Sequence, residues 1–308
     1  MTDASLWPIF AAGTFHAPDQ PVLLATDQGF TLGLSVFDSL LFEGGACLFL
    51  EEHLARLEHG ARGVGIPWPP PWDPRTTLYE LAAKIGVEPL VLRTTLSRGA
   101  PGIGTTMVVT ARAVAPPPHG GAHLWVPAAR IRAEAALDGL KSTNRLRNVL
   151  AREAANRAGA WEALLVDTEA RLIEGTVSNV FVRFDAELWT PPLDLGCLSG
   201  ITRAQVLASL EDEPLLLASG ERLRAVERAT TLDELPHALE VFVTNSSGRA
   251  TGALSVRGPG LVDLELPGAQ GEAVRAVDGR IRRLERDYLA RTRGSNASQG
   301  QAGSEPGS

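Results

Sequence analysis

"LKSTNRLRNVLAREAANRAGA", Leu140 to Ala160, is the stretch on which the reading of this chain turns. From Leu146 onward the apolar residues Leu146, Val149, Leu150 and Ala154 recur at helical spacing, which predicts an amphipathic helix with one buried stripe. Gly159 is a suitable stop, because glycine readily takes the left-handed conformation that ends many helices. Lys141 stands before that helix, directly after the apolar-rich AALDGL. Of the 29 lysines and arginines together, only Lys84 and Lys141 are lysines. A preference for arginine can follow from base composition alone. That explains the arginines and leaves the exception unexplained.

On the N-terminal side, PVLLATD reads as a strand, and GFTLGLSVFDSLLFEGGACLFL as strands broken by a hairpin at Gly44-Gly45. EEHLARLEHGARGVGI has Leu54, Leu57, Ala61 and Val64 at helical spacing. PLVLRTTLSRG and TTMVVTARAV read as two more strands, and APPPHGG as a boundary. Beyond it, AHLWVPAARI opens a second half as a strand. EALLVD, RLIEGTVSNVFVRF and AELWTPP alternate like a sheet, GITRAQVLASL begins a helix after Gly200, and EVFVTNSSG is a strand entering a polar turn. A helix from about Gly271 to Arg291 carries Val274, Val277, Ile281, Leu284 and Tyr288 on one face. The pattern predicts an α/β chain in two lobes: residues 1–115, a linker at 116–122, residues 123–292, and a Gly/Ser/Gln-rich disordered tail at 293–308.

The 308 residues are 44% hydrophobic and 21% charged, an ordinary globular mixture with ample material for a core. The net charge of −7 gives no global basic field, so nucleic acid and anionic membrane surfaces are not expected partners. No long apolar run suggests a membrane span, and MTDASLWPIFAAG lacks the basic start of a signal peptide. Cys47 and Cys197 form no CxxC pattern and read as buried thiols of a reducing cytoplasm.

Phosphate-loop text is missing, and GAPGIG lacks both a following helix and its acidic partner. His119 and His123 are separated by a stretch containing two glycines, which argues against a helical metal pair, and no metal site is expected. What remains is Lys141 and a set of partners. A lysine whose proton affinity is lowered can attack a carbonyl and form a Schiff base. Were that carbonyl on pyridoxal phosphate, an acid would have to meet the ring nitrogen, and cations or backbone amides the phosphate. Glu174 is a carboxylate in an apolar strand, which requires a charged or hydrogen-bonding partner. Arg56 sits on the polar side of its helix. Gly200, Ile201 and Thr202 occupy a helix start with free N–H groups, and Ser246 belongs to a hydroxyl-rich turn. Singly, each has an ordinary explanation: a surface arginine, a capped helix, a strand-edge charge, a turn. Their order along one chain is far more specific.

That order resembles the class IV aminotransferase family, the fold-type IV pyridoxal-phosphate enzymes. The matching segments are DQGFTLGLSVFDSL, EEHLARL, LKSTNRLRNVLA, EALLVD, IEGTVSNVF, LWTPP, GCLSGITR and EVFVTNSS, spanning about Asp27 to Ser247. The resemblance implies a smaller N-terminal and a larger C-terminal domain with pyridoxal 5′-phosphate between them. It implies Lys141 as the Schiff-base lysine and proton carrier, and Glu174 on the pyridine nitrogen. Arg56, Ile201, Thr202 and Ser246 would hold the phosphate, and a homodimer would cover the site. The chain departs from the family's usual text at Leu34, Ser35 and Phe37-Asp38-Ser39. The loop after Ser97-Arg98-Gly99, APGIG, lacks the arginine that relatives use for substrate carboxylate. LDGLKSTNRL looks like the lysine segment of 4-amino-4-deoxychorismate lyase, the first expectation for a small amino substrate. An amino-acid aminotransferase is the alternative, and a cofactor-binding but inactive paralogue the third reading.

Overall fold

A computed structural model describes residues 7–132 and 139–302, with side chains as far as Arg293. The first sheet is built from β1 (Ile9–Ala11), β2 (Thr14–His16), β3 (Ser35–Glu43), β4 (Ala46–Cys47), β5 (Leu90–Ser97) and β6 (Thr106–Ala113). Its order is β2-β1-β6-β5-β3-β4, antiparallel throughout. Gly44 and Gly45 both take positive φ at the β3–β4 turn, as the sequence predicts. Helices α1 (Gln28–Leu32), α2 (Leu50–Gly63) and α3 (Pro74–Ile85) complete this half. Strand alternation sorts the residues by face. Leu90, Leu92 and Leu96 of β5 pack with Leu57 and Ala61 of α2 and Leu78 and Leu81 of α3. Val91 and Arg93 point the other way, into a cavity.

PVLLATD is not a strand. Leu23 and Leu24 are half exposed, and Asp27 instead caps α1, its carboxylate accepting from the Gly29 N–H at 2.7 Å. A local cap offers the backbone an alternative to sheet pairing, so GFTL is helical rather than extended. Helix α3 is an element the apolar runs do not signal. Its caps do: Asp73 accepts from the amides of Arg75 and Thr76, Pro74 occupies the first turn, and Gly86 closes it at φ 70°.

The second half contains β7 (Ala122–Trp125), α4 (Leu146–Arg157), β8 (Glu162–Val166), β9 (Leu172–Gly175), β10 (Asn179–Phe184), β11 (Glu187–Thr190) and α5 (Ile201–Asp212). There follow β12 (Leu215–Leu216), β13 (Arg222–Glu227), β14 (Glu240–Asn245), β15 (Arg249–Arg257), β16 (Leu264–Glu265) and α6 (Glu272–Ala302). The sheet order is β12-β13-β11-β10-β14-β15-β7-β8-β9, with β16 on β15. One face buries Leu124, Leu164, Val180, Val182, Val241 and Val243. On the other, Phe181 and Phe242 stack with ring centroids 5.3 Å apart, under Val206 and Leu210 of α5 and Val274, Val277 and Ile281 of α6. The chain is a two-lobed α/β protein. Helix α6 runs to Ala302, past the point where the sequence places a disordered tail; residues 303–308 lie outside the described ones.

Helix α4 forms as expected but faces the wrong way for its apolar stripe. Leu146, Val149 and Leu150 are 71%, 48% and 54% exposed, while Ala151 and Ala155 pack against Ala163, Leu165 and Ile173. Alanines permit the closest approach to the sheet, and the Arg152–Glu162 ion pair at 2.9 Å fixes the helix's rotation.

Candidate active site

A cavity of about 530 Å³ lies between the two lobes. Lys141 reaches it from a strap laid along β3: the Lys141 carbonyl accepts from the Phe37 N–H at 2.9 Å, and the Thr143 N–H donates to the Ser35 carbonyl at 3.0 Å. The strap fixes the backbone before α4 starts. That is why the lysine precedes the helix. Burial, aided by the Arg56 and Arg145 charges and opposed by Asp38 and Glu174, lowers its amine to about 8. A useful fraction is therefore an uncharged nucleophile near neutral pH.

Glu174 lies on β9 opposite Leu165 of β8. Burial pushes its carboxyl up to about 7, against the Leu198 N–H, which donates to it at 2.9 Å, and the Lys141 charge. Next to Leu198 the chain turns into α5. Gly200 is its N-cap and offers no side chain, so the first amides, of Ile201 and Thr202, have no side-chain cap. A Cβ at Gly200 would collide with the amide oxygen of Asn179. Ser246, in the turn after β14, also lines the cavity. Neighbouring Thr244 has its Oγ1 buried without a hydrogen-bond partner.

Arg56 is not a solvated helix residue. Its Nε and Nη2 grip both oxygens of Asp38 at 2.7 and 2.8 Å, and its Nη1 donates to the Ser199 carbonyl at 3.0 Å. His53, one turn earlier, places Nδ1 2.7 Å from the same carboxylate. Burial alone would raise Asp38, but His53 and Arg56 hold it well below the usual range. Burial lowers His53 against the pull of Asp38, and since a carboxylate only accepts, this contact calls for a proton on Nδ1. The triad joins β3, α2 and the start of α5.

Lys141, Glu174, Arg56, Ile201, Thr202 and Ser246 thus all line one cavity. The sequence reading misses its opposite wall. Arg93 on β5 and Arg112 on β6 are diagonal neighbours on one sheet face, since Arg93 pairs with Thr110 and Val91 with Arg112. The Arg93 guanidinium lies 3.7 Å from the centre of the Phe37 ring, and Lys141 Nζ and the Arg145 guanidinium lie 5.0 and 5.7 Å from it. Among the described residues, none of these arginines forms an ion pair. Arg93 meets Thr95, Arg112 the Ala113 carbonyl, and Arg145 the Thr176 carbonyl. Burial holds all three below the usual arginine range. The available signal is a charge inside a strand, Arg93 in LVLRTTLS and Asp38 in SVFDSLLF.

Residues 35–257 match the family model described as Amino-transferase class IV, so the chain is an enzyme of the class IV aminotransferase family. It is 30% identical to the D-alanine aminotransferase of Bacillus licheniformis over 254 residues, 75% of this chain and 82% of that one. It is 28% identical to the aminodeoxychorismate lyase of Vibrio harveyi over 233 residues, 71% and 82% of the two chains. Among solved structures, a hypothetical aminotransferase from Mycobacterium tuberculosis in its PLP-bound form superposes with a TM-score of 0.75. That match covers 90% of this chain and 98% of the other at 22% identity, a likeness of fold. Class IV aminotransferases are pyridoxal-phosphate enzymes. The donors present fit that group: an amine of lowered proton affinity, a buried carboxyl, an anchored guanidinium, free helix amides and the unpartnered Thr244 hydroxyl.

Proposed function

We propose that the protein binds pyridoxal 5′-phosphate through Lys141 and acts on an amino substrate bearing carboxylates, with 4-amino-4-deoxychorismate lyase as the favoured activity. The observation that carries this reading is that Arg93, Arg112 and Arg145 line the same cavity as the lysine and, among the described residues, none of them forms an ion pair. Half-buried guanidinium groups without an ion pair, as Arg93 and Arg145 are, favour a ligand that supplies the anion. A substrate with two carboxylates answers that demand, and the wall does the work of the arginine missing from the APGIG loop.

Arg56, the Ile201 and Thr202 amides and Ser246 hold the phosphate, with Asp38 and His53 keeping the Arg56 fork in place. Glu174 faces the ring nitrogen, whose positive charge would favour its carboxylate form. The bound cofactor supplies an electron sink conjugated to the substrate carbon. Lys141 takes the proton released there and returns it, at an amine poised near working pH. In the lyase reading, the pyruvate group leaves as the substrate ring becomes aromatic, giving 4-aminobenzoate for folate synthesis. The second reading is an amino-acid aminotransferase passing its amino group to a 2-oxo acid, favoured by the 30% identity to a D-alanine aminotransferase.

Aminodeoxychorismate supplied without any 2-oxo acid separates the two. Catalytic release of 4-aminobenzoate and pyruvate supports the lyase. Turnover of amino acids that needs 2-oxoglutarate, with no such release, assigns the transaminase.

We also propose a homodimer. Phe30 and Leu32 of α1 are 74% and 68% exposed, and the exposed Leu146, Val149 and Leu150 of α4 lie just beyond Asn144, whose amide donates to the Gly33 carbonyl at 3.0 Å. An apolar surface of this extent beside the site is what a second subunit would cover. Residues 116–122 are the proposed boundary between the lobes, and the cytoplasm the proposed compartment. No described helix is long and apolar enough to cross a membrane.

A further inference from the structure

We infer that Tyr288, on helix α6, is a positioning residue for Arg56, acting through the N-terminus of α2. The inference rests on the reading of Arg56 as a phosphate ligand and adds to it a residue from the far end of the chain.

Helix α2 begins without a cap of its own. Phe49 precedes it in a left-handed conformation, φ 51°, and makes no side-chain capping bond. Left so, the first amides would lack partners in a half-buried position, a cost helices usually remove locally. Here the Leu50 N–H donates to the Tyr288 hydroxyl at 3.1 Å, across 238 residues of chain. The Tyr288 ring also lies 5.1 Å from the Phe49 ring. His53 and Arg56 follow within two helical turns, so the entry of α2 sets where their side chains emerge.

The same stretch of α6 holds the N-terminal lobe at two further points. Arg249 on β15 bridges Glu285 of α6 at 2.7 Å and Glu43, at the end of β3, at 2.5 Å. Arg293 donates to the Gly44 carbonyl at 3.0 Å. Leu284 and Glu285 of α6 share a small void with Phe49, His53, Thr202 and Ser246. Helix α6 therefore backs both halves of the phosphate cradle. Within that backing, the Tyr288 hydroxyl is the group that reaches the first amide of the helix carrying Arg56.

The test is a thermodynamic cycle on the full chain freed of cofactor. Tyr288→Phe keeps the ring and removes the acceptor; Arg56→Ala removes the ligand. Pyridoxal phosphate is titrated into the wild type, each single variant and the double variant, and inorganic phosphate is titrated in parallel. Tyr288→Phe should weaken both ligands about fivefold, the effect of one hydrogen bond, with the melting curve still cooperative. In the Arg56→Ala background the same change should have no further effect. Unchanged affinity in Tyr288→Phe, or an equal loss with Arg56 already absent, overturns the inference. Should pyridoxal phosphate fail to bind even the wild type, the cofactor reading fails, while the phosphate arm still decides the role of Tyr288.

Discussion

Two sets of side chains in the cavity are held on opposite principles. The set proposed to hold the cofactor is anchored: Glu174 to the Leu198 amide, the Lys141 strap to β3, Arg56 to Asp38 and the Ser199 carbonyl, and the helix amides of α5 behind a capless Gly200. The other set, Arg93 and Arg112, projects from a sheet face without an ion pair, Arg93 against the Phe37 ring and the Thr95 hydroxyl and Arg112 on the Ala113 carbonyl. The difference separates fixed chemistry from adaptable recognition. On the proposed reading, groups that meet a reacting atom are held to a single geometry, and groups that receive substrate carboxylates are left without an ion pair.

Lys141→Ala attacks the fixed set and should have the largest effect, a loss of turnover of at least about a thousandfold. Borohydride reduction followed by peptide mapping should label Lys141 in the wild type; a label on Lys84 instead would break the contrast at its centre. Next comes Arg56→Ala, which should weaken pyridoxal phosphate by roughly one to two decades, as expected for a charge-assisted contact of about 1.5–3 kcal/mol. Apo-protein titration measures it, and an unchanged affinity would return Arg56 to a structural role.

Arg93→Leu and Arg112→Leu probe the adaptable set. Each should raise KM for the carboxylate substrate by about tenfold while leaving cofactor affinity unaltered. Equal losses in both quantities would erase the distinction between the two sets. The smallest effect concerns Glu174 in protein free of cofactor. Its carboxyl, raised from an ordinary 4.5 to about 7, binds its proton more tightly when folded. That contribution to stability is complete below pH 4.5 and is lost as pH rises through 7. Glu174→Gln, which has no such dependence, should match the wild type at low pH. At about pH 8 it should melt a few degrees higher, on the order of 1 kcal/mol. Calorimetry across that range would expose a wrong sign.

The fixed set is also the legible one. Lys141, Glu174 and the Gly200-Ile201-Thr202 start stand in local text whose chemistry shows in a few consecutive residues. Arg56 is legible but its setting is not, because a helix pattern says which side of α2 is polar and not that Asp38 of β3 waits there. Arg93 and Arg112 lie on different strands and become neighbours only through the register of β5 and β6. The alternation of β5 does announce that Arg93 shares a face with Val91, yet not what that face looks onto. Helix α4 shows the limit of periodicity: its apolar stripe is real and points inward on paper, whereas the small Ala151 and Ala155 face the sheet. For PVLLATD, the cap at Asp27 outweighs strand propensity.

The scarcity of lysine has a practical consequence for handling the molecule. Lys84 is exposed on α3, its ammonium 4.7 Å from the Phe15 ring, and Lys141 is the cavity lysine. Leaving the terminal α-amine aside, an amine-reactive sensor surface therefore has two chemically distinct handles. With the cavity filled, coupling at mildly alkaline pH would tether the molecule through α3, away from the cavity mouth. With it empty, the lowered proton affinity of Lys141 makes that amine a competing target for a small amine-reactive reagent, and the share of coupling at Lys141 against Lys84 would report occupancy before any substrate is added.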